Sequence, residues 1–271
     1  MTKTTARITA LASHKGGVAK TTTAVNLAAE LTSHGTGPIL LIDLDGQAST
    51  TLSLGFDPSQ LRSTIYDVLL SEPAIPTSRA IIRETPVPNL HLLPSSPEMV
   101  VADVFLAERT ARTDLISRAL LPTRETYDHI IIDCPSALGL VTLSALNAAD
   151  GYLVPVEPHY LALEGVQSLL QAMSTVSRFS GVTGLAKLDG IVITRADYRT
   201  RACRESIRAL RDVLGRQVYT TEIRTNIRLA EAPARGVPIC RYDDQASGAR
   251  AYRALAQEFV ANLETEMEAA P

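Results

Sequence analysis

Residues 14–22 read His-Lys-Gly-Gly-Val-Ala-Lys-Thr-Thr and follow directly on the apolar run Ile8-Thr9-Ala10-Leu11-Ala12. A short strand, a glycine-containing loop, a lysine and two hydroxyls at the mouth of a helix build a cradle for a polyphosphate. Loop N–H groups turn inward, and the positive end of the helix points at the anion. In such a cradle Lys20 supplies a point charge to the outer phosphates and Thr21 offers a hydroxyl to Mg²⁺. A second lysine, Lys15, opens the same loop, where an ordinary phosphate loop does not need one. The chain has 22 Arg but only four Lys, at positions 3, 15, 20 and 187, and two of the four fall within residues 15–20. A compact ammonium at both places reads as a chemical requirement.

With 271 residues and an apolar fraction of 45 %, the chain is long enough for a sizeable core. Aromatics are 4 % and Trp is absent, so that core is built from Ala, Leu, Val and Ile. The formal net charge of −3 hides an asymmetry: residues 195–250 carry twelve Arg, no Lys or His, and seven acids. Such a basic region can bind a polyanion although the whole protein is acidic. The three cysteines, Cys134, Cys203 and Cys240, form no C-x-x-C pair and read as reduced thiols. The absence of a signal-type start and of any run of ~18 apolar residues predicts a soluble intracellular protein.

Strand and helix patterns alternate. Strands are predicted at 7–12, 39–43, 90–93, 129–133, 151–156, 189–194 and 217–221. Helices are predicted from Lys20 to about Ser33, then at 98–120, 138–148, 163–177, 200–214 and 247–266. Ile39-Leu40-Leu41-Ile42-Asp43 and His129-Ile130-Ile131-Ile132-Asp133 are near-continuous apolar runs ending in an acid, as in strands buried on both faces. The expected fold class is α/β, a three-layer sandwich of the P-loop NTPase kind with a mostly parallel central sheet flanked by helices. No repeat or low-complexity linker divides the chain, so residues 1–271 are expected to form one domain. Ligands of such folds sit at the carboxyl ends of the strands, where Lys15–Thr22, Asp43, Asp45 and Asp133 all fall. A single acid at a strand end also serves as a helix cap.

These motifs together resemble the ParA-type (Soj-like) partition ATPases of the deviant Walker-A group, which also holds the MinD regulators. The resemblance rests on 15–28, on Leu41-Ile42-Asp43-Leu44-Asp45-Gly46-Gln47 and on Ile131-Ile132-Asp133-Cys134-Pro135-Ser136-Ala137-Leu138-Gly139. Asn226-Ile227-Arg228-Leu229-Ala230-Glu231-Ala232-Pro233, Gly236 and Ser247-Gly248-Ala249 complete it. The resemblance implies a single ATPase domain without an N-terminal DNA-binding extension, and ATP and Mg²⁺ as ligands. It implies ATP contacts from Lys15, Gly16, Gly17, Val18, Ala19, Lys20, Thr21, Thr22, Thr194 and Asn226. Lys20 acts within its own subunit and Lys15 reaches across a homodimer to the partner's phosphates. Asp45 orients the attacking water, Thr21 binds Mg²⁺ directly, and Asp43, Asp45 and Asp133 serve the metal through water. Arg199 and Arg228 align with arginines that bind nonspecific double-stranded DNA, and Arg195, Arg201, Arg224, Arg235 and Arg241 extend that patch. Slow hydrolysis stimulated by a ParB-like centromere-binding partner, and a cytoplasmic, nucleoid-associated location, follow from the same resemblance.

Two positions depart from the family pattern. Ala19 stands where the family usually has glycine, which raises a hydrolysis-deficient nucleotide switch as an alternative. Glu222-Ile223-Arg224-Thr225-Asn226 stands where it usually has Ile-Pro-Arg-Asn. A MinD-like membrane regulator is a further alternative, but it needs a basic amphipathic C-terminus, and residues 251–268 carry acids in excess. An iron–sulphur reductase component would need paired cysteines.

Overall fold

The computed structural model describes residues 5–13, 15–35, 37–73, 75–108, 113–179 and 186–269. His14 of the loop motif and part of the predicted 98–120 helix lie outside them. Seven strands form one sheet: β1 (Arg7–Leu11), β2 (Ile39–Asp43), β3 (Leu90–Leu93), β4 (His129–Asp133), β5 (Gly151–Val156), β6 (Lys187–Ala196) and β7 (Val218–Arg224). Their order is β3-β2-β4-β1-β5-β6-β7, and every neighbouring pair is parallel.

The helices are α1 (Lys20–Leu31), α2 (Ser49–Ser53), α3 (Ile65–Leu70), α4 (Thr77–Ala80), α5 (Ala102–Ala107), α6 (Leu115–Leu120), α7 (Leu140–Ala148), α8 (Ala162–Phe179), α9 (Arg201–Leu214), α10 (Ile227–Glu231), α11 (Ile239–Tyr242) and α12 (Ser247–Ala269).

The apolar strands are buried on both faces because alternate side chains feed two cores. Leu40, Ile42, Ile130 and Ile132 join one, with Leu106, Ile116, Ala145, Leu169 and Ile207 from α5 to α9. Ile39, Leu41 and Ile131 join the other, with Val25 and Ala28 of α1 and Tyr252, Leu255 and Phe259 of α12. Each fully buried Leu or Ile contributes on the order of 2 kcal/mol by transfer from water. The fold is therefore the expected single-domain α/β sandwich.

The helix predicted over 98–120 is not continuous. A 3₁₀ turn over Pro97–Val101 leads into α5, and α6 begins anew at Leu115. Tertiary bonds fix that second start: Ser144 Oγ and Asn147 Nδ2 of α7 both donate to the Thr113 carbonyl at 3.1 Å. The last strand runs three residues beyond the predicted 217–221, because Glu222 and Arg224 pair with Ile193 and Ala196 of β6.

One close approach couples distant loops. Gly55, after α2, and Gly236, after α10, both have positive φ (85° and 67°), and a Cβ on Gly236 would fall 2.5 Å from Gly55 Cα. Only glycine fits this crossing.

Candidate nucleotide site

The loop after β1, the segment after β2 and the β7–α10 connection surround a cleft of about 790 Å³. It opens at the carboxyl ends of the strands, the usual ligand position for this topology. Gly17, Ala19, Lys20, Thr21 and Thr22 line its floor; Asp45, Gln47, Ser49 and Ser53 line one side; Arg224, Thr225, Asn226 and Ile227 line another. Lys15 borders it at the open rim.

The loop is shaped as an anion nest. Gly17 has φ 80° and Ala19 φ 59°, so residues on either side of Val18 are left-handed. Such turns bring successive N–H groups to one concave face. Ala19 is the N-cap of α1 and makes no side-chain cap bond, and the first turn carries no acid. The helix N-terminus is thus left to an external anion. The backbone carries the positive φ that favours glycine although an alanine stands there.

Lys20 is buried and already satisfied. Its Nζ donates a very short hydrogen bond to the Cys134 carbonyl and lies 3.4 Å from Asp133 Oδ1. Burial opposes the ammonium, but the charges of Asp133 and Asp45 overcome it and hold the pKa above the ordinary lysine value. Thr21 and Thr50 each donate a 2.7 Å hydrogen bond to Asp133 Oδ2. Asp133 therefore supports both the loop and α2 rather than lining the cleft.

Asp43 is fully buried and does not border the cleft. Its Oδ2 accepts from Thr51 N–H (2.9 Å) and Thr51 Oγ1 (2.8 Å), and its Oδ1 accepts from Asp45 N–H (3.1 Å). Burial first, and the neighbouring Asp133 charge second, push its pKa up to about 7. Asp45 projects into the cleft, where its Oδ1 accepts from Gln47 N–H at 3.0 Å. Thr194 is fully buried; its hydroxyl donates to the Val18 carbonyl at 2.9 Å and holds the loop from behind. Val18 is buried too, whereas Gly16 is exposed, with Ser136 Oγ 3.9 Å from where its Cβ would stand. Asn226 caps α10 by accepting from Arg228 N–H at 2.8 Å and donates to Ser247 Oγ at 2.6 Å.

Lys15 is exposed, and its Nζ lies 2.9 Å from His159 Nε2. His159, 144 residues away in sequence, carries no local signal that marks it. Arg195 belongs with the loop: it donates to the Gly17 carbonyl at 2.9 Å from a left-handed backbone (φ 51°). Arg199 forms a two-point pair with Asp197 at 2.7–2.8 Å and is 87 % exposed. Arg228 pairs with Glu231 at 2.9 Å and lies over the Tyr242 ring. Arg224 stacks on Tyr198, 4.9 Å from the ring centroid. The hydroxyls of Ser49, Thr50 and Thr51 were not singled out by sequence, although only Ala48 separates them from the Asp45-Gly46-Gln47 motif.

A family model described as an AAA domain matches residues 6–181. The sporulation initiation inhibitor protein Soj of Bacillus subtilis is 37 % identical over 256 residues, which is 94 % of this chain and 99 % of that protein. The chromosome-partitioning ATPase Soj of Thermus thermophilus is 39 % identical over 264 residues, 97 % of this chain and 99 % of that one. Among solved structures, cobyrinic acid a,c-diamide synthase of Mycobacterium smegmatis with an ATP analogue and magnesium superposes with a TM-score of 0.81 at 32 % identity, covering 96 % of this chain and 97 % of that one. The septum site-determining protein MinD of Pyrococcus horikoshii with Mg-ADP gives 0.75 at 26 %, covering 96 % and 97 %. With its nest, buried lysine and seven-stranded parallel sheet, the chain belongs to the AAA-domain family and, within it, to the Soj/ParA group of chromosome-partitioning P-loop ATPases.

Proposed function

We propose that this protein is a weak ATP hydrolase that uses ATP to close a homodimer, binds duplex DNA nonspecifically in that state, and is released when a centromere-bound ParB-like partner stimulates hydrolysis. Such a cycle acts at the nucleoid, in the cytoplasm. The observation that carries the reading is the convergence of Lys15, Lys20 and Asp45 on one cleft at the carboxyl ends of β1 and β2.

The nest N–H groups and Lys20 bind the phosphates, and Lys20 exchanges the Cys134 carbonyl for phosphate oxygen. Lys15 is free at the rim to leave His159 and reach a second subunit's nucleotide, where its charge stabilises the transferring phosphoryl group. Asp45 holds the attacking water. Asn226 is assigned to the nucleotide, with Arg224 and Thr225 beside it on the same wall of the cleft. The donor set suits Mg²⁺, because Thr21 and Asp45, which line the cleft, carry hard oxygens, and Asp133 accepts a hydrogen bond from the Thr21 hydroxyl, which leaves an Oγ1 lone pair for the metal. Bound there, Mg²⁺ neutralises phosphate charge. Asp43 and Asp133 act by positioning: Asp133 fixes Thr21, and Asp43 fixes the Asp45 backbone. On the outer surface Arg199 and Arg228 exchange their intramolecular acids for DNA phosphates.

A DNA mobility shift with no nucleotide, ADP or ATP tests the cycle. Wild type should bind only with ATP, and both Lys15→Gln and the Arg199→Ala/Arg228→Ala double variant should lose that binding. Equal binding in all three nucleotide conditions would sink the switch. The left-handed Ala19 favours a second reading, a switch with little turnover. Ala19→Gly raising phosphate release severalfold under saturating Mg·ATP with DNA and partner would support it.

A further inference from the structure

Helix α9 presents a stripe of guanidinium groups of which the DNA reading above includes only Arg201. Arg201, Arg204 and Arg208 are spaced three and four residues apart and all are exposed. That spacing places them on one helix face, while Cys203, Ile207 and Leu210 face the core. The stripe spans about 10 Å at 1.5 Å per residue. Between these side chains lies a shallow groove of about 280 Å³, lined only by Arg201, Arg204, Arg208 and Glu205. Three guanidinium groups thus meet one carboxylate.

That carboxylate is taken: Arg201 Nε donates to Glu205 Oε1 at 2.6 Å, on an exposed pair worth little in water. Arg204 donates to the Tyr198 carbonyl, which leaves its charge uncompensated. Arg208 has no ion-pair partner among the described residues. Arg199 stands two residues before the helix, so the stripe continues the patch that contains it. Residues 195–216 hold seven Arg against three acids and no Lys. Planar guanidinium forks match phosphate oxygens two at a time.

We infer that α9 is a second DNA-backbone contact, in which Arg204 and Arg208, with Arg201, take successive phosphates of one strand in the groove between them. Successive phosphates of one strand lie farther apart than the ~3.4 Å they advance along the duplex axis, so the three flexible side chains splay from the ~10 Å stripe to reach them. A contact made to phosphate oxygens alone carries no sequence information. It rests on the ATP-dependent DNA binding proposed above.

The test is the salt dependence of duplex affinity with ATP, measured for wild type, Arg204→Ala/Arg208→Ala and Arg204→Lys/Arg208→Lys, with melting curves to confirm folding. Each lost phosphate contact removes about 0.9 from the slope of log K against log salt. The alanine pair should lower the slope by about two and weaken binding about tenfold on every sequence, and the lysine pair should regain most of the slope. An alanine pair with the wild-type slope, while Arg199→Ala/Arg228→Ala abolishes binding, overturns the α9 contact and leaves the partition reading intact. Wild type that fails to bind duplex with ATP overturns both. Wild type that prefers phosphatidylglycerol vesicles to duplex, and loses them in the alanine pair, assigns the stripe to a membrane instead.

Discussion

Ala19 concentrates the tension between sequence and site in one residue. Its φ of 59° is a conformation that L residues other than Asn and Asp rarely adopt, at a cost of about 1–2 kcal/mol. The loop holds it there because the nest needs that turn. Ala19→Gly relieves the strain but frees the unfolded chain by about 0.4–1 kcal/mol. The net expectation is a gain of about 0.5–1 kcal/mol in stability, read from urea unfolding. A loss would mean that the methyl group packs usefully in the loop. Lys20 shows the complementary device: a buried ammonium kept charged by Asp133 and by a carbonyl, so the binding charge is present before any ligand arrives.

At the level of elements, α2 hangs from two buried carboxylates. Thr50 bonds Asp133 at the end of β4, and Thr51 bonds Asp43 at the end of β2. Thr51 Oγ1 also accepts from Ser95 N–H at 3.0 Å, tying in the chain after β3. Thr51→Val keeps the shape but strands a buried donor and weakens support for a buried acid, so it should cost about 2–3 kcal/mol. Thr51→Ser should restore most of that in the same chemical denaturation. This helix was not legible in the sequence: Ser49-Thr50-Thr51-Leu52-Ser53 lacks an apolar helical period, and its hydroxyls find partners across the sheet. The strands were legible because a strand buried on both faces declares itself as an apolar run. The cleft floor was legible because loop, lysine and threonine are contiguous. Asp43 illustrates the limit. Its place at a strand end fits a metal role and a structural one equally, and only the three donors around it show that its oxygens are engaged. The break between α5 and α6 and the pairing of Lys15 with His159 depend on distant partners and leave no periodic trace.

Across the whole molecule, buried acids set part of the pH response. Asp189 on β6 is pushed up to about 6 by burial, against the opposing pull of Arg7 at 2.6 Å. The folded protein therefore keeps a proton between pH 3.8 and about 6 that the unfolded chain has released, so this group's contribution to stability falls as pH rises through that interval. His91 and His129, held by burial below their ordinary value, act in the opposite sense. The clean measurement is a difference: the stability advantage of wild type over Asp189→Asn should shrink as pH rises from 3.8 to 6 in a series of urea titrations. A constant difference would mean that folding leaves the Asp189 carboxyl at its ordinary value.

The crossing of Gly55 over Gly236 has a mechanical meaning for the nucleotide. It sets the wall that bears Ser49 and Ser53 directly against the segment that follows Asn226 and Ile227, backbone against backbone. A side chain at either glycine would wedge those two walls apart and reshape the cleft between them.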